Sequence, residues 1–244
     1  MNAEALAAGA GAHSRMYGRR HGRPMRAFRR QCLADGLSAW GLTLPDEAGA
    51  LVDPAAWFPG RKIWLEIGFG AGEHLAGQAQ AHPEIGFLGC EPFVNGVAAL
   101  MARLRQDGTG NVRVFPDDAH LLLERLPPAC VDRVFVLFPD PWPKNRHRHR
   151  RLLSPASLTV LAKVLRLDGE LWFASDDAAL AVSVLAMLTA RDDYRWLALR
   201  ADDWRLPPVD WIGTRYEAKA IGRGAAPIYL RFARCDQGEN TRSL

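Results

Sequence analysis

Apolar residues follow two different periods along the middle of the chain. Short, uninterrupted apolar runs predict buried strands, and they alternate with longer segments whose apolar positions recur every three or four residues, as on one face of a helix. The predicted strands are 62–67, 85–90, 112–115, 131–138 and 169–174, and the predicted helices are 73–82, 94–106, 119–126, 155–167 and 177–189. Before them, a short helix that ends at a glycine, Gly36, is predicted over 26–36.

Two further apolar stretches, 194–199 and 228–232, bring the predicted strands to seven. Strands that alternate with helices form parallel sheets through right-handed crossovers. The pattern therefore predicts an α/β fold with a doubly wound, mostly parallel, seven-stranded sheet that binds ligands at the carboxyl ends of its strands. We expect one domain over 26–233, a basic and flexible arm over 1–25, and a disordered tail over 234–244.

Composition narrows the class of protein. The 244 residues are 48% hydrophobic and 24% charged, which is typical of a globular chain that builds its own core. No apolar run approaches the ~20 residues that span a bilayer, so we expect no membrane association. The four cysteines form no C-x-x-C pair and no zinc-ligand spacing, which favours reduced thiols of a cytoplasmic protein without a metal site.

Positive charge is concentrated in two segments. Residues 1–30 carry seven arginines and one acid, a net +6, and residues 144–151 carry one lysine and four arginines, a net +5. Since the whole chain carries only +4, the remainder carries −7. An acidic body with two strongly basic segments indicates an anionic polymer as partner, although either run alone is compatible with a solvated surface.

The first predicted strand runs into a glycine-rich turn, Glu66-Ile67-Gly68-Phe69-Gly70-Ala71-Gly72. A dinucleotide-binding loop requires G-x-G-x-x-G, and here its third glycine position holds Glu73, an anion where a pyrophosphate would lie. The turn therefore argues against an NAD-dependent oxidoreductase and favours a ligand that has no phosphate at this point.

Acidic residues follow the next two predicted strands. Glu91 stands where an acid accepts hydrogen bonds from both hydroxyls of a ribose, and Asp118 stands where it would accept one from an adenine amine. Each acid alone could equally cap a helix. The glycine turn and two acids at successive strand ends together favour a nucleoside-containing cofactor.

The segment after the fourth predicted strand has the most specific composition in the chain. It reads Leu137-Phe138-Pro139-Asp140-Pro141-Trp142-Pro143-Lys144-Asn145-Arg146-His147. Prolines fix the backbone, Trp142 would pack under a flat base, and Asp140 would accept from its ring N–H and amine. Lys144 and the four arginines that follow would hold phosphates.

These segments resemble the bacterial tRNA (guanine-N7)-methyltransferase family, whose members methylate guanine 46 in the variable loop of tRNA. The resemblance spans about residues 14–233 and is carried by 66–72, 87–91, 138–144, 149–152 and 214–217, with 17–23 similar to the family's basic arm. It implies a Rossmann-like class I methyltransferase fold, S-adenosylmethionine as cofactor and tRNA as substrate.

The resemblance also implies a set of site residues. The residues expected to bind the cofactor are Glu66, Gly68, Gly70, Gly72, Glu91, Asp118 and Asp140, and Asp140 is also expected to be catalytic. The residues expected to bind the substrate are Lys144, Asp176, Thr214, Arg215, Tyr216 and Glu217. Asp177 and Leu180 depart from the family pattern, which often has an aromatic or amide residue and then a tyrosine at these positions.

This chemistry explains why no catalytic histidine or cysteine stands out. Guanine N7 carries an in-plane lone pair and no proton, so its attack on a sulfonium methyl group needs alignment and electrostatics rather than a general base. We expect Asp140 to hold the N1–H and amine edge of guanine and to stabilise the positive charge that moves onto the purine.

Three other functions stay open at this point. One is a methyltransferase that acts on an amine of a nucleobase or protein, although its acid/amide-Pro-Pro-aromatic motif differs from Asp140-Pro141-Trp142. Another is a non-catalytic RNA-binding subunit with the same fold, and the third is the oxidoreductase that Glu73 disfavours. The sequence does not indicate an oligomeric state, and fold alone does not choose among these functions.

Overall fold

The computed structural model describes residues 19–236, and its contacts divide the chain into two compact units that meet in sequence at Leu126 and Pro127. Most of the predicted arm, residues 1–18, and most of the predicted tail, residues 237–244, lie outside the described residues. The single domain expected over 26–233 stays a prediction.

Between residues 19 and 126, the first unit contains three parallel strands and four α-helices. Along the chain these are α1 (Ala27–Trp40), β1 (Ile63–Ile67), α2 (Glu73–Ala81), β2 (Gly86–Cys90), α3 (Val94–Asp107), β3 (Val112–Phe115) and α4 (Ala119–Leu123), with a 3₁₀ turn at Pro54–Ala56. The strands lie in the order β3-β2-β1, and Phe87 on β2 pairs with Trp64 on β1 and with Val112 on β3. Every residue of β1 and β2 is buried, Glu66 included, which explains why neither strand alternates between polar and apolar side chains.

The first helix is longer than its sequence pattern indicates. A glycine usually ends a helix, and the sequence suggests an end at Gly36, but α1 continues to Trp40. A Cβ atom at Gly36 would lie 2.6 Å from the side chain of Met101 on α3. Gly36 therefore allows α1 and α3 to pack closely against each other, and it does not end α1.

The second unit contains a mixed sheet. Its elements are β4 (Val131–Leu137), a 3₁₀ helix (Asn145–Arg150), α5 (Pro155–Val164), β5 (Leu165–Ser175), α6 (Ala178–Thr189), β6 (Tyr194–Trp196), α7 (Asp202–Arg205), α8 (Arg215–Ile221) and β7 (Ile228–Arg234). The strands lie in the order β4-β5-β7-β6, with β4 and β5 parallel and the other pairs antiparallel. The predicted α/β class with a mostly parallel, seven-stranded sheet is confirmed.

The helix predicted over 155–167 is three residues too long. α5 ends at Val164, and Leu165 already pairs with Val131 as the first residue of β5. Asp168 adopts a left-handed conformation (φ 58°), and the strand register shifts between Val131 and Arg133. Periodicity does not reveal this end because Leu165 is buried whether it continues the helix or begins the strand.

Within residues 19–236 no helix has the length and apolar character needed to cross a membrane.

Candidate active site

The predicted glycine turn joins β1 to α2. Gly68, Gly70 and Gly72 have φ angles of 77°, 59° and 75°, a conformation that residues with a Cβ atom rarely adopt. The N–H of Gly68 donates to the carbonyl oxygen of Cys90 at 2.8 Å, and that of Gly72 donates to Phe69 at 2.9 Å. The turn therefore has a defined shape, with backbone exposed at Gly68.

Glu91, just after β2, is bonded directly to this turn. Its Oε2 atom accepts the N–H of Gly70 at 2.7 Å, and its Oε1 atom accepts the N–H of Phe93 at 2.9 Å. The side chain is buried, with 8% relative exposure. A carboxylate offers about four acceptor positions, so it can hold the backbone and still accept hydrogen bonds from a ligand's hydroxyls.

Glu66 takes part in a buried polar chain beneath the turn. Its Oε2 atom lies 2.8 Å from Nδ1 of His74, and Nε2 of His74 lies 3.4 Å from Nε2 of Gln78. His74 and Gln78 lie one helical turn apart on the buried face of α2. The structure thus places Glu66 against α2 and fixes the side of the carboxylate that His74 contacts.

Asp118 is the N-cap of α4, as the alternative interpretation of its sequence position predicts. Its Oδ1 atom accepts the N–H of His120 at 3.0 Å and lies 2.9 Å from the His120 ring. The side chain is 2% exposed. Burial, together with the negative charges of Asp118 and Glu91, raises the pKa of the Cys90 thiol far above its ordinary value, so this thiol stays protonated.

The described part of the basic arm is attached to the first turn of α3. The carbonyl of Arg20 accepts the N–H of Val94 at 2.9 Å, and Asn95 accepts the N–H of Gly22 at 2.8 Å and donates to the carbonyl of Arg23 at 2.9 Å. The guanidinium of Arg20 lies 2.5 Å from Asp117. Residues 20–23 therefore contact Val94, Asn95 and Asp117, which are near neighbours in the sequence of Glu91 or Asp118.

In the second unit, the proline-rich loop leaves β4 in a strained conformation. Phe138 and Trp142 have φ angles of 50° and 42°, which are rare for residues other than glycine. Asp140, between them, is exposed, and so is Lys144. Strain of this kind persists only where surrounding contacts hold it, and it is concentrated at functional sites.

Trp142 is held by residues of its own loop. The guanidinium of Arg150 lies over the indole ring at 5.0 Å, and the His147 ring meets the indole edge-on at 5.8 Å. Partial desolvation and the cations Arg150 and Lys144 lower the pKa of His147. One face of the Trp142 indole is therefore covered by the guanidinium of Arg150.

Asp176 and Asp177 follow β5 and differ in environment. Asp176 is exposed, whereas Asp177 caps α6 by accepting the N–H of Leu180 at 2.7 Å. The two positions at which the chain departs from its expected pattern, Asp177 and Leu180, are therefore the two partners of one helix cap.

The segment from Thr214 to Glu217 forms a capping box at the start of α8. Arg215 and Tyr216 are exposed, with the Arg215 guanidinium 5.6 Å from the Tyr216 ring centre. Glu217 is buried, at 6% exposure, and accepts hydrogen bonds from Trp211 Nε1 at 2.8 Å, from the N–H of Thr214 at 3.2 Å and from a hydroxyl on β7. That hydroxyl belongs to Tyr229. Arg215 and Tyr216 are thus exposed, while the buried carboxylate of Glu217 accepts the hydrogen bonds that fix the segment.

The described part of the chain contains no group of three or more His, Cys, Asp or Glu side chains arranged to hold a metal ion.

Comparisons with known proteins agree on one family. Residues 60–229 match a family model described as "Putative methyltransferase". The tRNA (guanine-N(7)-)-methyltransferase of Rhodospirillum rubrum is 47% identical over 91% of this chain and 88% of its own length. The proteins of the same name from Chelativorans sp. and Azorhizobium caulinodans are 44% and 47% identical, each over 89% of this chain and 94% of its own length.

The chain belongs to the tRNA (guanine-N(7)-)-methyltransferase family. The resemblance noted from its motifs is thereby confirmed.

Solved structures show that this family member has a methyltransferase fold. The 16S rRNA (adenine(1408)-N(1))-methyltransferase of Catenulisporales acidiphilia matches with a TM-score of 0.52 and 21% identity, over 80% of this chain and 97% of its own. A variant of that enzyme solved with cosubstrate SAM matches with a TM-score of 0.52 and 19% identity, over 77% and 94%.

Several residues that support the predicted site were missed from the sequence. They are His74 and Gln78 beneath the turn, Gly96 beside it, and Trp211 and Tyr229 around Glu217. A Cβ atom at Gly96 would lie 2.2 Å from the carbonyl oxygen of Gly70. The sequence offers one signal for His74, namely a histidine among apolar residues on the buried face of α2; the others depend on contacts between distant segments.

Proposed function

We propose that this protein transfers the methyl group of S-adenosylmethionine to N7 of guanine 46 in the variable loop of tRNA. Membership of the tRNA (guanine-N(7)-)-methyltransferase family, over most of the chain, is the observation that carries the proposal. Because mature and precursor tRNA are cytoplasmic in bacteria, the cytoplasm is where the protein would act.

The first unit would bind the cofactor. The backbone of the left-handed turn would pack against the amino-acid part of S-adenosylmethionine, and Glu73 stands where a dinucleotide-binding loop would have its third glycine. Glu91, whose carboxylate is oriented by the N–H groups of Gly70 and Phe93, would accept hydrogen bonds from the ribose hydroxyls. Asp118 would accept the adenine amine, and Glu66, held by His74, would contact the methionyl end.

Asp140 would perform the chemical role in the second unit. Nucleophilic attack by N7 moves one positive charge from sulfur to the purine, and no proton has to be removed. A carboxylate on the N1–H and amine edge would stabilise the transition state more than the neutral base, which is the condition for catalysis. It would also exclude adenine, whose edge lacks two adjacent donors. The exposure of Asp140 leaves it available to a nucleotide.

The RNA would be bound by exposed cations and by the Asp176 and 214–217 segments. N7 lies in the major groove of a duplex, which in RNA is deep and narrow, so the target base has to be in a loop and turned outward. Lys144 and Arg215 are exposed cations for the backbone, and Tyr216 is an exposed ring for stacking. Thr214, Asp176 and Glu217 would position these groups or contact the substrate.

The deciding experiment identifies the modified nucleoside. Purified protein is incubated with unmodified tRNA and methyl-labelled S-adenosylmethionine, and the RNA is digested and separated. Label in 7-methylguanosine, abolished in a tRNA whose guanine 46 is replaced by adenine, is the expected result. Label in another nucleoside would favour the amine methyltransferase, and cofactor binding without label on any RNA would contradict the proposal.

The role of Asp140 is tested by an Asp140→Asn variant. Loss of a charge-assisted interaction made in the transition state should lower kcat by about 100-fold or more. An Asp168→Asn variant is the control, because Asp168 is 85% exposed and its left-handed conformation suits asparagine. Full turnover in Asp140→Asn would remove Asp140 from the mechanism.

A further inference from the structure

The basic segment 144–151 separates into two groups by the direction of its side chains. Lys144, Arg146 and Arg148 are exposed, whereas Arg150 and Arg151 are half-buried. Because all five carry the same charge, the sequence gives no reason to distinguish them.

Arg151 is turned towards the loop that holds Asp140. Its Nε atom donates to the carbonyl oxygen of Pro141 at 2.9 Å, and its Nη1 atom lies 3.4 Å from the hydroxyl of Ser183 on α6. The side chain thus connects Pro141, the residue after Asp140, to α6. Arg150 contacts the next residue of the loop, because its guanidinium lies over the ring of Trp142 at 5.0 Å.

The loop depends on such contacts for its shape. Pro139, Pro141 and Pro143 have no N–H group and cannot donate backbone hydrogen bonds. Phe138 and Trp142, on either side of Asp140, adopt left-handed conformations that are unfavourable for residues with a Cβ atom and persist only where surrounding contacts hold them. The bond from Arg151 to the Pro141 carbonyl restrains the peptide group that joins Pro141 to Trp142, one residue after Asp140.

We propose that Arg151, assisted by Arg150, is a positioning residue that fixes the loop carrying Asp140, whereas Arg146 and Arg148 bind tRNA phosphates. The proposal rests on the proposed function and assigns separate tasks within one basic segment.

The first test needs no RNA. Limited trypsin digestion of the full-length protein, followed by mass spectrometry, measures cleavage after Lys144, Arg146 and Arg148. Arg151→Gln should accelerate these cleavages about fivefold or more, because it releases the loop into locally open conformations. Arg166→Gln is the matched control: Arg166 also donates from Nε to a carbonyl, that of Ala129 at 3.1 Å, but outside the loop. Equal loop cleavage in Arg151→Gln and Arg166→Gln would overturn the proposal, whatever reaction the protein catalyses.

The second test separates affinity from turnover. Each phosphate contact that is lost should lower the slope of log Kd for tRNA against log salt by about 0.7–1. We expect this decrease for Arg146→Gln and Arg148→Gln but not for Arg151→Gln. At saturating tRNA and cofactor, Arg151→Gln should instead lower the single-turnover methylation rate by about 10–100-fold, since small displacements of a catalytic group have effects of this size. Arg151→Lys, which keeps one donor near Pro141, should recover part of the rate.

The opposite pattern would overturn the proposal. It consists of a reduced salt slope for Arg151→Gln with an unchanged single-turnover rate, which is the behaviour of a phosphate contact. If the unsubstituted protein makes no 7-methylguanosine, the proposed function fails, while the digestion test still decides whether Arg151 fixes the loop.

Discussion

The Oε2 atom of Glu91 lies 2.7 Å from the backbone nitrogen of Gly70, so the acid after β2 and the middle glycine of the turn after β1 form one unit. A second bond, from the N–H of Phe93 to Oε1, fixes the orientation of the carboxylate. The predicted ribose-binding acid therefore also shapes the turn beside which the cofactor is expected to bind.

Glu91→Gln should weaken the binding of S-adenosylmethionine by about 10–100-fold, because hydrogen bonds to a charged group contribute about 1.5–3 kcal/mol. The amide NH₂ would in addition face the N–H of Gly70 or of Phe93, where no acceptor is available. Isothermal titration calorimetry gives the affinity. Glu84→Gln removes the same charge from a side chain that is 66% exposed and should bind normally. Equal affinities in the two variants would show that Glu91 does not contact the cofactor.

Gly96 on α3 tests the shape of the turn without changing any charge. A methyl group at this position would lie 2.2 Å from the carbonyl oxygen of Gly70, so Gly96→Ala forces the turn and the helix apart. We expect a loss of stability of about 1–3 kcal/mol, the usual cost of overpacking, together with at least a tenfold loss of cofactor affinity. Urea unfolding and calorimetry measure the two effects.

Gly110→Ala is the matched control for Gly96→Ala. No atom lies within 4 Å of the position that its Cβ would take, so stability and affinity should both stay close to those of the unsubstituted protein. If Gly96→Ala bound the cofactor as well as Gly110→Ala does, the turn would be able to move away from α3 at no cost to binding.

Glu217 should be important for the stability of the second unit as well as for substrate binding. Its buried carboxylate accepts hydrogen bonds from Trp211, from Thr214 and from the hydroxyl of Tyr229. Glu217→Gln leaves these donors around an amide that cannot accept from all of them, and should lower the free energy of unfolding by about 2–3 kcal/mol. Tyr229→Phe removes one donor only and should cost about 1 kcal/mol. Urea unfolding that gives Glu217→Gln the smaller loss would contradict this assignment.

The sequence predicts the strands best where they are buried throughout, as in β1 and β2, whereas β5 begins with three exposed residues after Leu165 and its start is missed. It also predicts where Glu91 and Asp118 stand, since Glu91 directly follows β2 and Asp118 lies in the short turn between β3 and α4. It does not predict the partners of these acids. The bond from Gly70 to Glu91 joins residues 21 positions apart, and the capping function of Asp118 is compatible with its proposed contact to adenine.

The remaining differences have local physical causes. Gly36 indicates a helix end on its own, and only the packing of Met101 against it shows otherwise. Leu165 suits a helix and a strand equally, and its pairing with Val131 decides between them. Arg150 and Arg151 carry the same charge as their neighbours, so composition assigns all of them to phosphates, whereas the structure turns these two towards the loop.

The buried thiol of Cys90 should make the protein sensitive to alkaline pH. Burial, Asp118 and Glu91 raise its pKa far above the ordinary value, so the folded protein keeps a proton that the unfolded chain releases above about pH 9. The raised group contributes its full share of stability below the unfolded pKa. Stability then falls as pH rises, by about 1.4 kcal/mol per pH unit for each proton released. The pKa values of Tyr194 and Tyr229 are also raised, mainly by burial, and act in the same direction at higher pH.

Cys90→Ala isolates the contribution of the thiol to this alkaline loss. Urea unfolding of both proteins between about pH 7.5 and pH 10.5 separates two effects, because packing changes the stability equally at every pH while ionisation does not. The variant should lose less stability than the unsubstituted protein above pH 9, so that the two curves converge. Curves that stay parallel over the whole range would mean that Cys90 ionises as readily in the folded protein as in the unfolded chain.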